Sequence, residues 1–134
     1  MRKRLSFKKS FFSRVGIDVV HELSVAMSLL DEIGAVAERE GATSVSTVRL
    51  KVGRLSGIAR DALLFAWELA RSDTVASNAE LHIEDIDVVV FCPRCERERP
   101  PVMGGGLVCS VCGAAAPSIV HGRELELVAF EVVS

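Results

Sequence analysis

All four cysteines of this 134-residue chain fall in two short pairs, Cys92-Pro93-Arg94-Cys95 and Cys109-Ser110-Val111-Cys112, with 13 residues between the pairs. No other feature restricts the fold as much. Two CxxC turns at this distance let four thiolates converge tetrahedrally on one Zn²⁺, each turn offering two sulfurs about 2.3 Å from the metal. Two disulfides would need an oxidising compartment that nothing in the sequence indicates. A thioredoxin-like redox motif would use one CxxC opening a helix, whereas here two pairs flank Gly104-Gly105-Gly106. Four thiolates leave no open coordination position, so the zinc is expected to hold structure and not to hydrolyse a substrate. His82-Ile83-Glu84 ahead of Cys92 superficially matches the signature of nucleobase deaminases. That match fails, because Pro93 follows the first cysteine and the second pair offers two better ligands than His82.

With 49% hydrophobic and 25% charged residues, the chain has material for one compact core and one small satellite, which excludes large barrels and doubly wound nucleotide folds. The net charge of −2 conceals an asymmetry. Residues 1–14 hold six of the 16 basic side chains and none of the 18 acidic ones, leaving ten against 18, a charge of −8, for the remainder. So acidic a body repels phosphate backbones, and with 5% aromatic residues and no Tyr there are few rings on which bases could stack. No nucleic-acid partner is expected. No apolar run approaches the roughly 18 residues of a membrane span, so no membrane partner is expected either. Residues 1–19 are basic and lack an apolar signal core; they are expected to be a disordered extension, or a stretch upstream of the true start.

Along the chain, Leu23, Met27, Leu30, Ile33 and Ala37 recur at helical spacing, which predicts an amphipathic helix from Glu22 to Arg39 ending at Gly41. Val48, Leu50 and Val52 alternate with Arg49 and Lys51 as in a half-buried strand. A second helix is predicted over Ala59 to Arg71, with Leu63, Ala66, Trp67 and Ala70 as its buried stripe and Trp67 as core filling. A second strand begins at Ala79, and its apolar alternation changes phase at Glu84-Asp85; a third, Glu124 to Val133, changes phase after Leu127. Such shifts suggest bulges or breaks where each long strand passes from one small core to another. The expected architecture is α+β: two helices on a three-stranded antiparallel sheet, residues 20–85 and 122–134, with a zinc-ribbon subdomain inserted at 86–121. His82 is expected to face solvent, and His121 to lie near the ribbon as an accessory group.

These motifs carry a resemblance. His21-Glu22-Leu23-Ser24-Val25-Ala26, then Val48 to Gly57 (VRLKVGRLSG), Ala79 to Glu84 (AELHIE), the two CxxC pairs and Gly122 to Leu125 (GREL) stand in the order found in the HypA/HybF nickel-insertion proteins of nickel–iron hydrogenase maturation. The resemblance covers residues 20 to 134. It implies a cytoplasmic metallochaperone and not an enzyme, a monomer or weak homodimer that holds Ni(II) at its N-terminus beside a structural zinc. The partners it implies are a HypB-type GTPase, the hydrogenase large subunit and, in some organisms, urease maturation proteins. The alternative is a zinc-ribbon module that binds protein or nucleic acid and has no nickel role.

The resemblance assigns nickel to His21 and Glu22. A His in second position lets the terminal amine, the His amide nitrogen and an imidazole nitrogen chelate one metal in fused rings, with a fourth planar ligand from the amide or carboxylate of Glu22. Nitrogen-rich square-planar sets suit Ni(II), and also Cu(II). In this chain His21 lies twenty residues from the terminus, and Val20 stands where the family has its initiator Met. Valine is what a GTG codon yields when it is not read as a start, so the chain is expected to begin at residue 20 with Met in place of Val.

Overall fold

The structure, a computed structural model, describes residues 1–11, 22–102, 104 and 106–134. In chain order the elements are strand β1 (Arg2–Ser10), helix α1 (Glu22–Arg39), β2 (Ser44–Gly53), helix α2 (Arg60–Ala70) and β3 (Glu80–Ile86). There follow the short strands β4 (Val89–Cys92), β5 (Arg97–Arg99), β6 (Pro101–Val102), β7 (Val108–Cys109) and β8 (Ser118–His121), and finally β9 (Leu125–Val133).

Both predicted helices form, but α1 buries a different stripe. Val25, Ala26, Leu29, Ile33, Val36 and Ala37 are buried, while Leu23 and Met27 stay 50% and 55% exposed. Only Ile33 and Ala37 of the expected stripe are fully covered, with Leu30 at its margin. The helix carries two adjacent apolar stripes, and periodicity cannot say which one the sheet and α2 will cover. On α2, Leu63, Ala66 and Trp67 are buried as expected, with Ala70 at the edge. Trp67 fills the core, and its indole Nε1–H donates to the Ala79 carbonyl at 3.0 Å.

The three predicted strands appear as β2, β3 and β9, but in a four-stranded mixed sheet of order β1-β9-β2-β3. β9 runs antiparallel to both neighbours, whereas β2 and β3 are parallel, from Thr47 beside Glu80 to Gly53 beside Ile86. The all-antiparallel expectation fails because α2 lies between β2 and β3. A strand that returns through a helical crossover arrives parallel to the one it left.

The fourth strand is the correction to the expected disordered extension. Residues 2–10 pair with β9 from Arg2 beside Val133 to Ser10 beside Glu126. Leu5, Phe7, Lys9 and Phe11 share one side, which alternation by twos places on the core; Phe11 is fully buried and Phe7 stacks on Phe130 with centroids 5.0 Å apart. Charge had obscured this alternation. Residues 12–19 of the extension and His21 lie outside the described residues.

The phase changes have two different causes. In β9, Arg49 pairs with Ala129 but Leu50 with Leu127, so Val128 bulges and the strand stays in one sheet, contrary to the expectation that it spans both halves. The segment from β3 to β4 does span them, with its break after Ile86 instead of at Glu84-Asp85. Ile83 packs on the main core, while Val88 and Val90 join Ala116 in a second, smaller core flanked by Leu55, Leu107 and Ile119. That second core supports the β5-β4-β8 and β6-β7 sheets of the subdomain.

The halves join where two backbones touch. A Cβ at Gly53 would lie 2.2 Å from the Gly122 carbonyl carbon and oxygen, a distance no side chain tolerates. The Gly53 N–H donates to the Glu124 carbonyl at 2.7 Å and the Leu55 N–H to the Gly122 carbonyl at 2.6 Å. Gly53→Ala should therefore lower the thermal midpoint steeply. Gly34→Ala on α1, where nothing lies within 4 Å of the added methyl, should raise stability by roughly 0.5–1 kcal/mol, both read by thermal unfolding.

Candidate metal centre

Each CxxC pair closes the same kind of turn. Cys92 ends β4 and Cys109 ends β7. The N–H of the residue four positions on returns to the cysteine carbonyl, Glu96 to Cys92 at 2.8 Å and Gly113 to Cys109 at 2.9 Å. Both residues take left-handed φ, 57° and 74°. Gly113 takes this conformation without strain, and Glu96 adopts it without being glycine. Inside each turn an N–H points at sulfur: Cys95 N–H to Cys92 Sγ at 3.3 Å, and Val111 N–H to Cys109 Sγ at 3.4 Å.

The turns face one another, and the four sulfurs lie within 4.8 Å of one another, with Cys92 to Cys112 at 3.5 Å and Cys95 to Cys109 at 3.9 Å. A tetrahedron of sulfurs about 2.3 Å from a central ion has edges of about 3.8 Å, so the group fits one four-coordinate metal. Cys92 and Cys109 are buried, while Cys95 and Cys112 are half-buried.

The thiols are not equivalent. The Cys112 backbone N–H, helped by that of Val111 and opposed by burial, holds Cys109 down to about 6. The Cys95 N–H lowers Cys92 likewise. Cys112 is pushed up to about 11: the Ala114 N–H pulls it down, but burial and the sulfurs of Cys92, Cys95 and Cys109 outweigh that pull. Four thiolates at this spacing repel one another, and a divalent cation among them reverses the balance.

The remaining sequence candidates lie apart from this group. His82 is exposed on β3, its Nε2 3.1 Å from Glu80. His121 ends β8 with Nδ1 3.0 Å from Glu124 and Nε2 3.8 Å from Glu98. It braces the turn before β9 instead of approaching the sulfurs. Burial disfavours the charge on Glu124, but the Gly122 N–H, its own N–H and His121 together hold its carboxyl below the usual range.

Of the two nickel candidates only Glu22 has a described place. It opens α1, and its Oε1 accepts the Ala59 N–H at 3.1 Å, one residue ahead of α2. One carboxylate thus sits at the positive ends of two helices. The sequence did not signal this contact, because 37 residues separate the partners and neither belongs to a local capping pattern.

Residues 20–132 match the family model described as hydrogenase/urease nickel incorporation, metallochaperone, hypA. The chain belongs to the HypA family. The hydrogenase maturation factor HypA of Chloroflexus aggregans is 42% identical over 112 residues, 84% of this chain and 98% of that protein. That of Streptomyces avermitilis is 39% identical over 110 residues, 81% of this chain and 84% of that protein. Among solved structures, the Ni metallochaperone HypA from Helicobacter pylori is similar with a TM-score of 0.62 at 27% identity, covering 86% of this chain and 99% of that one. A second HypA solution structure gives a TM-score of 0.65 at 27% identity, covering 84% of this chain and 96% of that one. Members of the HypA family are metallochaperones and maturation factors, not enzymes.

If the four sulfurs hold one ion, Cys109→Ala should reduce bound metal from one per chain to none and unfold the small subdomain, leaving the Trp67 core intact. Binding must expel thiol protons, above all from Cys112 at about 11, so metal affinity should fall as pH drops. A chromophoric chelator that captures released metal during stepwise acidification measures this.

Proposed function

We propose that this chain is a nickel metallochaperone that holds Ni(II) at His21 and Glu22, carries a structural Zn²⁺ on Cys92, Cys95, Cys109 and Cys112, and delivers nickel during maturation of nickel–iron hydrogenase. The observation that carries the reading is the family match over residues 20–132, which takes in His21, Glu22 and all four cysteines. The two sites suit different ions. Four converging thiolates favour zinc, whereas an imidazole with backbone nitrogens favours square-planar nickel.

The start of α1 supports one ligand set. The first N–H groups of a helix have no partner within it, so the amide nitrogen of Glu22 is free to lose its proton to a metal. The Glu22 carboxylate already accepts the Ala59 N–H. Nickel bound by the His21 imidazole, the His21 amide and the Glu22 amide leaves that contact in place. The fourth position falls to the terminal amine in a chain that starts at position 20.

In this proposal, residues 20–85 and 122–134 form the nickel-bearing core and 86–121 the zinc subdomain. The protein works in the cytoplasm as a monomer or weak homodimer. Its partners are a HypB-type GTPase, the hydrogenase large subunit and, where urease is present, urease maturation proteins.

Nickel titration tests the assignment. A chain starting at position 20 with Met in place of Val20 should bind one Ni(II) in a diamagnetic, square-planar state, and the 134-residue chain should bind it more weakly. His21→Ala in the short chain should abolish nickel binding and leave zinc untouched. Equal nickel affinity with and without His21 would rule the site out and leave a zinc-holding interaction module.

A further inference from the structure

We propose that the outer edge of β9 is a docking groove for an extended basic segment of a partner protein, a groove that residues 2–11 fill in cis in the 134-residue chain and that a chain starting at position 20 leaves open. β1 lies outside the residues that match the HypA family, which begin at residue 20. The 112 residues aligned to the Chloroflexus aggregans relative account for 98% of its length. The shared fold therefore ends at β9 on this side, with a row of backbone N–H and carbonyl groups along an edge that readily accepts another strand.

The groove has specific seats for side chains as well as a hydrogen-bonding edge. Phe130 forms a shelf on which Phe7 stacks, 5.0 Å away and within 3° of parallel. A fully enclosed seat takes Phe11, whose N–H donates to the Leu125 carbonyl at 2.8 Å. Two carboxylates of the α1 region stand as posts. Glu40 takes Lys3 and Glu32 takes Lys9, each at 3.0 Å. At the far end the Ser134 N–H donates to the Met1 carbonyl at 3.2 Å. Main-chain pairing gives such a groove affinity, and seats for alternate side chains give it selectivity. The selected pattern is two cations six residues apart enclosing apolar residues, followed by a buried aromatic. A basic segment is also drawn to a body whose residues beyond 14 sum to −8.

The cis strand is built to come away. Its register shifts between Ser6 and Lys9, so the ladder is interrupted in the middle of the strand. A tethered segment competes at an effective concentration on the order of millimolar, enough to keep out weak ligands while yielding to a tighter one.

The test uses the full 134-residue chain and a labelled synthetic peptide, MRKRLSFKKSF. Phe7→Asp with Phe11→Asp should unseat the cis strand, because neither seat accepts a carboxylate. The peptide should then bind this variant at least about tenfold more tightly than it binds the unaltered chain. Adding Glu32→Lys and Glu40→Lys should cancel the gain, and a scrambled peptide should show none. Equal binding to variant and unaltered chain, or equal binding of the scrambled peptide, would overturn the proposal. So would absence of binding to a variant that keeps its metal and its buried Trp67. Should that variant not fold, Lys3→Glu with Lys9→Glu replaces it: amide exchange along β9 should rise at least about tenfold, and unchanged exchange is the refuting result.

Discussion

The turn after β2 and the turn before β9 touch backbone to backbone at Gly53 and Gly122, and both halves of the molecule depend on that contact. It lets β9 return to the main sheet after the excursion through the cysteine-bearing subdomain. Around it the Arg54 N–H donates to the Ile86 carbonyl at 3.0 Å, and the Arg54 side chain pairs with Asp87. Leu55 meanwhile reaches into the second core. These few contacts tie a domain with a real hydrophobic core to a satellite whose own core is three buried side chains. So small a core cannot balance the entropy of ordering its loops, which is why a metal centre belongs there.

The same seam connects the two candidate metal regions by ordinary covalent continuity. The loop that begins at Gly53 runs through Leu55 to Ala59, where the backbone N–H meets Glu22 at 3.1 Å. In the proposed assignment the two regions share no ligand and suit different ions. The four converging sulfurs would fill every position of a tetrahedral ion, which suits a resident metal. The proposed nickel site would draw on the first N–H groups of a helix, which have no partner within it, beside a carboxylate that already accepts the Ala59 N–H.

Much of this was legible beforehand because it rests on local rules. The CxxC spacing, the two helices and the three strands of the shared fold each follow from patterns within about twenty residues. The errors came where several segments compete for the same space. Leu23 and Met27 are as apolar as Val25 and Leu29, yet only the latter pair is covered. β2 and β3 alternate as antiparallel strands do, and only the position of α2 makes them parallel.

Sequence alone determined the two cysteine pairs that converge, the positions of the helices and the family, because each is encoded in residue identity at short range or in motif order. Tertiary structure alone decided that residues 2–10 join the sheet, since their basic side chains hide an alternation that counts only when β9 lies alongside. It alone placed Glu22 on the first turn leading to α2, and Gly53 against Gly122. Those contacts bring together residues 37 and 69 positions apart. No local pattern carries such information, because the free energy that selects them comes from filling one core with segments from the whole chain.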